Sequence, residues 1–337
     1  MIEVSVILCT HQPDRRLLDR VLKAVASQRG APTREVIIVD NRSEPALEDD
    51  VVKASGVSPA RLVKEPVQGL AFARARGIES ARGRLFVFVD DDNILSTNYL
   101  SEASRAASEN SKIGVFAGRA HGLFERQPDW LVRQHIARYA VRDLGDDPLI
   151  GSGEHWGPHE PFGAGLCVRA NIARVFADLV RASGDAGGLG RTGRELASGE
   201  DSLFSRIADA LGYQVGYIPS LRLDHHIKAD RLSWRYLFRL IAGQARAHVI
   251  MDRICGRPDP VAPPPVWREP DMSLRRFLGR LRSPGLYEAI THIAWDHAYW
   301  REQRRNPSSG EIILARGLKA LREFDLPATP TSEKPLT

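Results

Sequence analysis

Hydrophobic and polar positions repeat with two different periods along the first ninety residues. "VSVILCT" (residues 4–10) is short, rich in β-branched residues and ends at Thr10, which predicts a buried strand. After the turn "HQPDRR", Leu17, Leu18, Val21, Leu22 and Val25 recur at helical spacing and predict an amphipathic helix over 14–28. "REVIIVDNRS" predicts a second strand, with Val36 to Val39 buried and Asp40 at its carboxyl end. Ala46 to Ala54 reads as a short helix and "RLVKEP" as a weaker strand. "GLAFARARGIESA" reads as a helix stopped near Gly83, and "RLFVFV" as the next strong strand. This alternation predicts an α/β fold, a mixed but mainly parallel sheet flanked by helices. Ligands of such sheets sit at the carboxyl ends of the strands, where Thr10, His11, Asp40 and Asp90 to Asp92 all fall.

The pattern is less regular afterwards. "KIGVFAGRAHG" and "PFGAGLCVR" predict strands that extend the sheet, on either side of a stretch rich in Trp and Arg near Trp130 and Tyr139. The Gly-rich, charged segment 183–199 reads as a mobile loop. "EDSLFSRIADALGY" then predicts a helix with Leu203, Phe204, Ile207, Ala208 and Leu211 on one face. "QVGYIP" reads as a short strand, followed by "SLRLDHHIK". From 230 onward the pattern is helical to about 323, with a Pro-rich break at 258–265. The boundaries expected are a sheet-bearing domain over 1–228, with halves meeting near 115, a helical extension over 229–325, and a disordered tail over 326–337.

A chain of 337 residues, 43% hydrophobic and 26% charged, suits one large or two modest globular units. No apolar run approaches the roughly 18–20 residues of a membrane span, and no signal-peptide core is present, so a cytoplasmic protein is expected. Cys9, Cys167 and Cys255 show no metal-ligand or redox spacing. From residue 230 onward there are 18 Lys and Arg against 12 Asp and Glu, and before it 29 against 30, so the net charge of +5 belongs to the C-terminal third. Around Trp234, Tyr236, Leu237, Phe238 and Leu240 the mix of aromatic and basic residues suits peripheral contact with the inner face of a membrane. Packing against the rest of the chain accounts for the same residues more simply. The basic residues form no recognised nucleic-acid motif.

"LFVFVDDDN" (85–93) runs a buried strand straight into three carboxylates with no basic neighbour. Such a cluster suits a hard divalent cation, Mn²⁺ or Mg²⁺, which takes oxygen ligands and keeps positions open for phosphate. The competing reading is a solvated acidic turn. Glu200-Asp201 opens a helix, where the macrodipole favours carboxylates, or else supplies a general base. Arg74 and Arg76 lie two residues apart on one helix, so both cannot face the same cleft. His225 and His226 follow a strand, and one imidazole could join a cation already held by aspartate.

"SVILCTHQP", "EVIIVDNRS", "GLAFARARGIESARGRLFVFVDDDN", "FGAGLCVR" and "GEDSLFSRIADALGYQVGYIPSLRLDHH" resemble, in order and spacing, the motifs of family-2 glycosyltransferases with the GT-A fold. The likeness covers roughly residues 3–250. It implies inverting transfer of a sugar from a nucleotide-sugar, most commonly a UDP-sugar, with a divalent cation at the diphosphate. It implies Thr10, His11, Asp40, Arg74, Asp90 and Asp91 at the nucleotide and diphosphate, and Asp92 with His225 at the metal. It further implies Asp201 as catalytic base, and Gly165 and Glu200 near the acceptor or donor sugar. Acceptors in keeping with this are hydroxyls of a glycan, a lipid-linked glycan or a small molecule, as in bacterial-type polysaccharide or glycoconjugate synthesis. Ala75 replaces a frequent Asn of the family's helix motif, and Gly-rich sequence replaces its usual aromatic-Asp-Glu run.

Two rivals make contrasting demands. A sugar nucleotidyltransferase would carry a Gly-rich, Arg-containing phosphate loop after the first strand, which "CTHQPDRR" lacks. A non-catalytic nucleotide- or carbohydrate-binding protein on a degenerate scaffold would have no need of both Asp92 and Asp201.

Overall fold

The computed structural model describes residues 2–257, except 55, 57 and 193–195, together with 286–305 and 314. Its centre is one nine-stranded sheet. The strands are β1 (Val4–Thr10), β2 (Arg34–Asp40), β3 (Ala60–Lys64), β4 (Leu85–Asp90), β5 (Asn93–Leu95), β6 (Ile113–Phe124), β7 (Leu149–Ser152), β8 (Cys167–Arg169) and β9 (Gln214–Ile227). The order is β3-β2-β1-β4-β8-β6-β9-β5, with β7 also pairing β9. β1 pairs in parallel with β2 and β4, as do β2 with β3 and β6 with β9, while β5, β7 and β8 run antiparallel to their neighbours. Among the described residues ten α-helices accompany it: α1 (Arg15–Ala26), α2 (Asp49–Ala54), α3 (Leu70–Ser80), α4 (Tyr99–Glu109), α5 (Trp130–Gln134), α6 (Ala170–Ala182), α7 (Gly184–Gly187), α8 (Glu200–Ala210), α9 (Trp234–Ile254) and α10 (Leu286–Arg305).

The chain steps outward from β1 to β2 to β3, then returns across β1 to β4. The crevice between the carboxyl ends of β1 and β4 is therefore the topological switch point of the sheet. Register fixes what stands there: Thr10 lies opposite Asp40, and Cys9 opposite Asp90.

β1 is buried along its whole length because each face of the sheet is covered. Val4, Val6 and Leu8 pack with Leu18, Val21 and Leu22 of α1 and with Leu100 and Ala103 of α4. Ile7 and Cys9, on the other face, pack with Ala71, Ala75 and Ile78 of α3, Phe176 of α6 and Phe204 of α8. α1 starts where Asp14 caps it, its carboxylate accepting from the Arg16 and Leu17 N–H groups at 2.9 and 3.2 Å. α3 lies so close to β1 that a Cβ on Gly77 would meet Ile7 Cγ2 at 2.3 Å.

The second half departs from expectation in three places. "PFGAGLCVR" contributes only β8, because Gly165 turns the chain at φ 68° just before it. "QVGYIP" and "SLRLDHHIK" are one 14-residue strand, β9, whose register with β6 shifts between Ala117 and Arg119. The described part of the Gly-rich segment is packed rather than free: Ala186 and Leu189 are buried, and the Leu70 N–H donates to the Arg191 carbonyl at 3.1 Å. The Pro-rich break and the tail over 326–337 lie outside the described residues, as does the expected helix beyond 314.

α8 is anchored by Phe204, which is fully buried, with its ring centroid 4.0 Å from that of Phe176 and 5.3 Å from that of Phe88. Phe204→Ala is expected to lower stability by about 3–5 kcal/mol in denaturant unfolding. A loss below about 1 kcal/mol would show that this cluster does not hold α8 in place.

Candidate active site

The three carboxylates at the end of β4 occupy three different environments. Asp91 and Asp92 form the turn into β5, and β5 pairs with the end of β9, where Asn93 stands opposite His225. Asp92 is consequently enclosed. Its Oδ1 accepts from Asn93 Nδ2 at 2.9 Å, and its Oδ2 lies 3.6 Å from His225 Nε2 and 3.1 Å from Arg231 Nη1. Burial alone would raise its pKa, but His225 and Arg231 outweigh burial and hold the carboxyl well below the usual range. Asp91 accepts a short hydrogen bond from Thr10 Oγ1 across the switch point. Burial and the charge of Asp92 push Asp91 up to about 7, with the Thr10 bond opposing.

Asp90 faces Arg74. That guanidinium is only 1% exposed, with Nη2 3.7 Å from Asp90 Oδ1 and Nη1 3.5 Å from Glu200 Oε1. It also lies over the Phe88 ring at 5.4 Å. Arg74 thus links the end of β4 to the first turn of α8. Burial raises the pKa of both Asp90 and Glu200, and Arg74 works against that rise.

Asp201, next on α8, has both carboxylate oxygens fixed by backbone donors. Oδ2 accepts from the Gly163 N–H at 3.1 Å, and Oδ1 from the Ser202 N–H at 2.9 Å. Burial raises its pKa; Arg74 opposes the rise and Glu160 adds to it. A carboxylate oriented this way and made more basic is suited to accept a proton.

These groups line one cavity of about 1350 Å³, whose wall includes Thr10, His11, Arg74, Asp90 to Asp92, Glu200, Asp201 and His225. The sequence pattern of the family described as "Glycosyl transferase family 2" matches residues 5–160, just under half of the chain, from β1 to the cavity wall. Over that stretch the chain carries the pattern of glycosyl transferase family 2. Among solved structures it is similar to S. aureus TarS, at 15% identity and a TM-score of 0.48, over 90% of this chain and 55% of that one. It therefore spans about half the length of that TarS chain. It is similar too to TarS 1–349, at 15% identity and a TM-score of 0.49, over 90% of this chain and 91% of that one. TarS 1–349 in complex with UDP gives 15% identity and a TM-score of 0.48 over the same shares. No curated protein matches the sequence.

Not every residue expected at the site reaches the cavity. Asp40 is 2% exposed, and its two oxygens accept from the backbone N–H groups of Ser43 and Leu47, at 3.0 and 2.9 Å. It shapes the loop after β2, and its neighbour Asn41 reaches the wall in its place. Gly165 is also withdrawn. Its carbonyl accepts from the buried Tyr99 hydroxyl at 2.6 Å, and a Cβ there would meet that hydroxyl at 2.4 Å, so the position serves the turn before β8. Arg76 points to solvent and pairs with Glu79 at 3.8 Å. Of the two histidines, His225 faces Asp92, whereas His226 Nε2 lies 3.7 Å from Glu125.

The cavity wall also includes residues that the sequence did not single out. Arg231 reaches Asp92 from 139 positions away, and Arg191 of the Gly-rich segment joins the wall. Beyond residue 230 the wall includes Tyr236, Arg239 and His248 of α9 and His292, Trp295 and Asp296 of α10. The C-terminal helices therefore enclose the site instead of merely flanking it.

The protein's stability should record the crowding of carboxylates. Asp91 has a folded-state value of about 7 against an ordinary 3.8, so it favours folding when protonated. That contribution is complete below about pH 4 and is lost as pH rises through about 7. Asp91→Asn is expected to raise the melting temperature at pH 8 and leave it nearly unchanged at pH 4. An equal shift at both pH values would contradict the repulsion.

Proposed function

We propose that this chain is an inverting glycosyltransferase that moves a sugar from a nucleotide diphosphate sugar to a hydroxyl acceptor. The observation that carries the reading is the placing of Asp201, fixed at both oxygens, on the same cavity as the strand-end carboxylates. A UDP-sugar is the donor favoured by family resemblance, and glycan or glycoconjugate synthesis the setting.

In this reading the nucleotide diphosphate lies over the switch point, between Thr10, His11 and the Asp90 to Asp92 turn, as ligands of such sheets do. Arg74 neutralises Asp90 and Glu200 from beneath, and its Nε and Nη1 have no hydrogen-bond partner within the protein. The acceptor approaches from the side of Asp201. Asp201 takes the hydroxyl proton as the acceptor oxygen bonds to the anomeric carbon on the face opposite the diphosphate. The carbon–oxygen bond to the diphosphate breaks in the same step, its electron pair leaving with the phosphate. One displacement inverts the centre, so no nucleophilic side chain is needed.

Asp92 and His225 offer an oxygen and a nitrogen donor 3.6 Å apart, and His225 Nδ1 is buried with no hydrogen-bond partner. Among the described residues, no group of three or more His, Cys, Asp or Glu is placed to hold a metal. The pair would hold a cation only together with phosphate oxygens that complete its shell. A bound Mn²⁺ or Mg²⁺ would neutralise charge on the departing diphosphate.

No described helix is long and apolar enough to cross a membrane. Leu237 and Leu240 are buried in packing, while Trp130 and Trp234 are 45% and 52% exposed beside the exposed Arg133 and Arg235. That patch supports peripheral contact with the inner face of a membrane.

Asp201→Asn tests the mechanism. It is expected to reduce transfer by about 10²–10⁴-fold while nucleotide binding by calorimetry stays within a factor of about three. Transfer at the wild-type rate would remove Asp201 from the role of base.

A further inference from the structure

We infer that Trp156 is the platform on which the acceptor's sugar ring lies, making the acceptor a carbohydrate rather than an isolated small hydroxyl compound. This rests on the proposed transferase reading and deepens it.

Trp156 is 64% exposed, the highest exposure among the large apolar side chains of the described residues. It nevertheless lines the same cavity as Asp201. A large apolar ring left in water forgoes the favourable burial of its area, so its position calls for an occupant. Its neighbour in the cavity is Phe162, with ring centroids 6.3 Å apart and planes tilted by 34°. The two rings form an apolar shelf in a cavity otherwise rich in charge.

The shelf is held firmly from below. The Arg142 guanidinium lies 4.7 Å from the Phe162 ring centroid and 5.1 Å from that of Tyr217. Arg142 also donates short hydrogen bonds to the Pro158 and Glu160 carbonyls. Arg206 of α8 donates to the Gly153 carbonyl and lies 3.3 Å from the Glu160 carboxylate. Arg142, Glu160 and Arg206 are all at least nine-tenths buried. The segment 153–163 is therefore pinned by buried charged groups on two sides while its Trp stays open.

The far end of this segment is Gly163, whose N–H orients Asp201 Oδ2. One pinned segment thus supplies both the shelf and a backbone donor to the proposed base. A pyranose ring suits such a shelf: its C–H face packs on an aromatic surface, while its hydroxyls stay available to polar groups at the edge. The cavity's volume of about 1350 Å³ exceeds the roughly 300–1000 Å³ of a single-ligand site, leaving room for a donor and at least one acceptor ring.

The test is binding of labelled full-length protein to an array of immobilised neutral and acidic oligosaccharides, for the wild type, Trp156→Ala and Trp156→Phe. Calorimetry with UDP and Mn²⁺ is run on the same three proteins. The wild type is expected to retain at least one glycan class, Trp156→Ala to bind it about tenfold more weakly, and Trp156→Phe to stay within about threefold. Trp156 is exposed, so its replacement leaves the core untouched. Failure of the wild type to bind any glycan, or equal glycan binding by Trp156→Ala, would overturn the platform. If nucleotide binding persists in either case, the platform fails and the transferase reading stands. Loss of nucleotide binding in the wild type as well would overturn the transferase reading with it.

Discussion

The site depends on a single buried cation. Arg74 is 1% exposed and lies between Asp90, at the end of β4, and Glu200, at the start of α8. A guanidinium removed from water is costly unless it is paired, and an unpaired carboxylate in the same place would be no better. Each of the three is tolerable because of the others. Together they tie the switch point of the sheet to the helix that carries Asp201, 127 positions further along the chain than Arg74. Neither half of the proposed site would be correctly placed without that tie. It also explains why α3 sits so tightly on β1, with glycine at Gly77, since the depth of Arg74 is set by the depth of its helix.

Around this tie the charges are sorted rather than merely gathered. Asp92 is kept ionised by His225 and Arg231, whereas Asp91 is pushed towards neutrality by burial and by Asp92. Asp201 is made more basic by burial and is turned by two backbone donors. Neighbouring carboxylates with divergent proton affinities suit division of labour between binding and proton transfer. The C-terminal helices complete the cavity through Tyr236, Arg239 and Trp295.

Much of this was legible in the sequence because period and position carry it. β1, α1, β2 and β4 follow from runs and spacings, and their carboxyl ends follow from the alternation. The Asp90 to Asp92 turn and the Glu200-Asp201 pair stand out because a buried strand and a packed helix adjoin them. The rest was not legible because it depends on which backbone or side-chain partner each group finds once folded. Asp40 has the right place in its strand, but the N–H groups of Ser43 and Leu47 claim its oxygens. Gly165 answers to Tyr99, 66 positions away, and Arg231 reaches Asp92 only once β5 has paired with β9. α6, by contrast, has its apolar face in Ile172, Val175, Phe176, Leu179 and Val180, a helical spacing that begins directly after β8.

The central claim is that the carboxylates at the switch point form a site for a nucleoside diphosphate carrying a divalent cation. Thermal stability measured with UDP, GDP, CDP and dTDP, each with and without Mn²⁺, tests it most directly. The account predicts stabilisation by one nucleotide, and only when Mn²⁺ is present. Stabilisation by none of the four would contradict it, as would a shift of the same size without the metal.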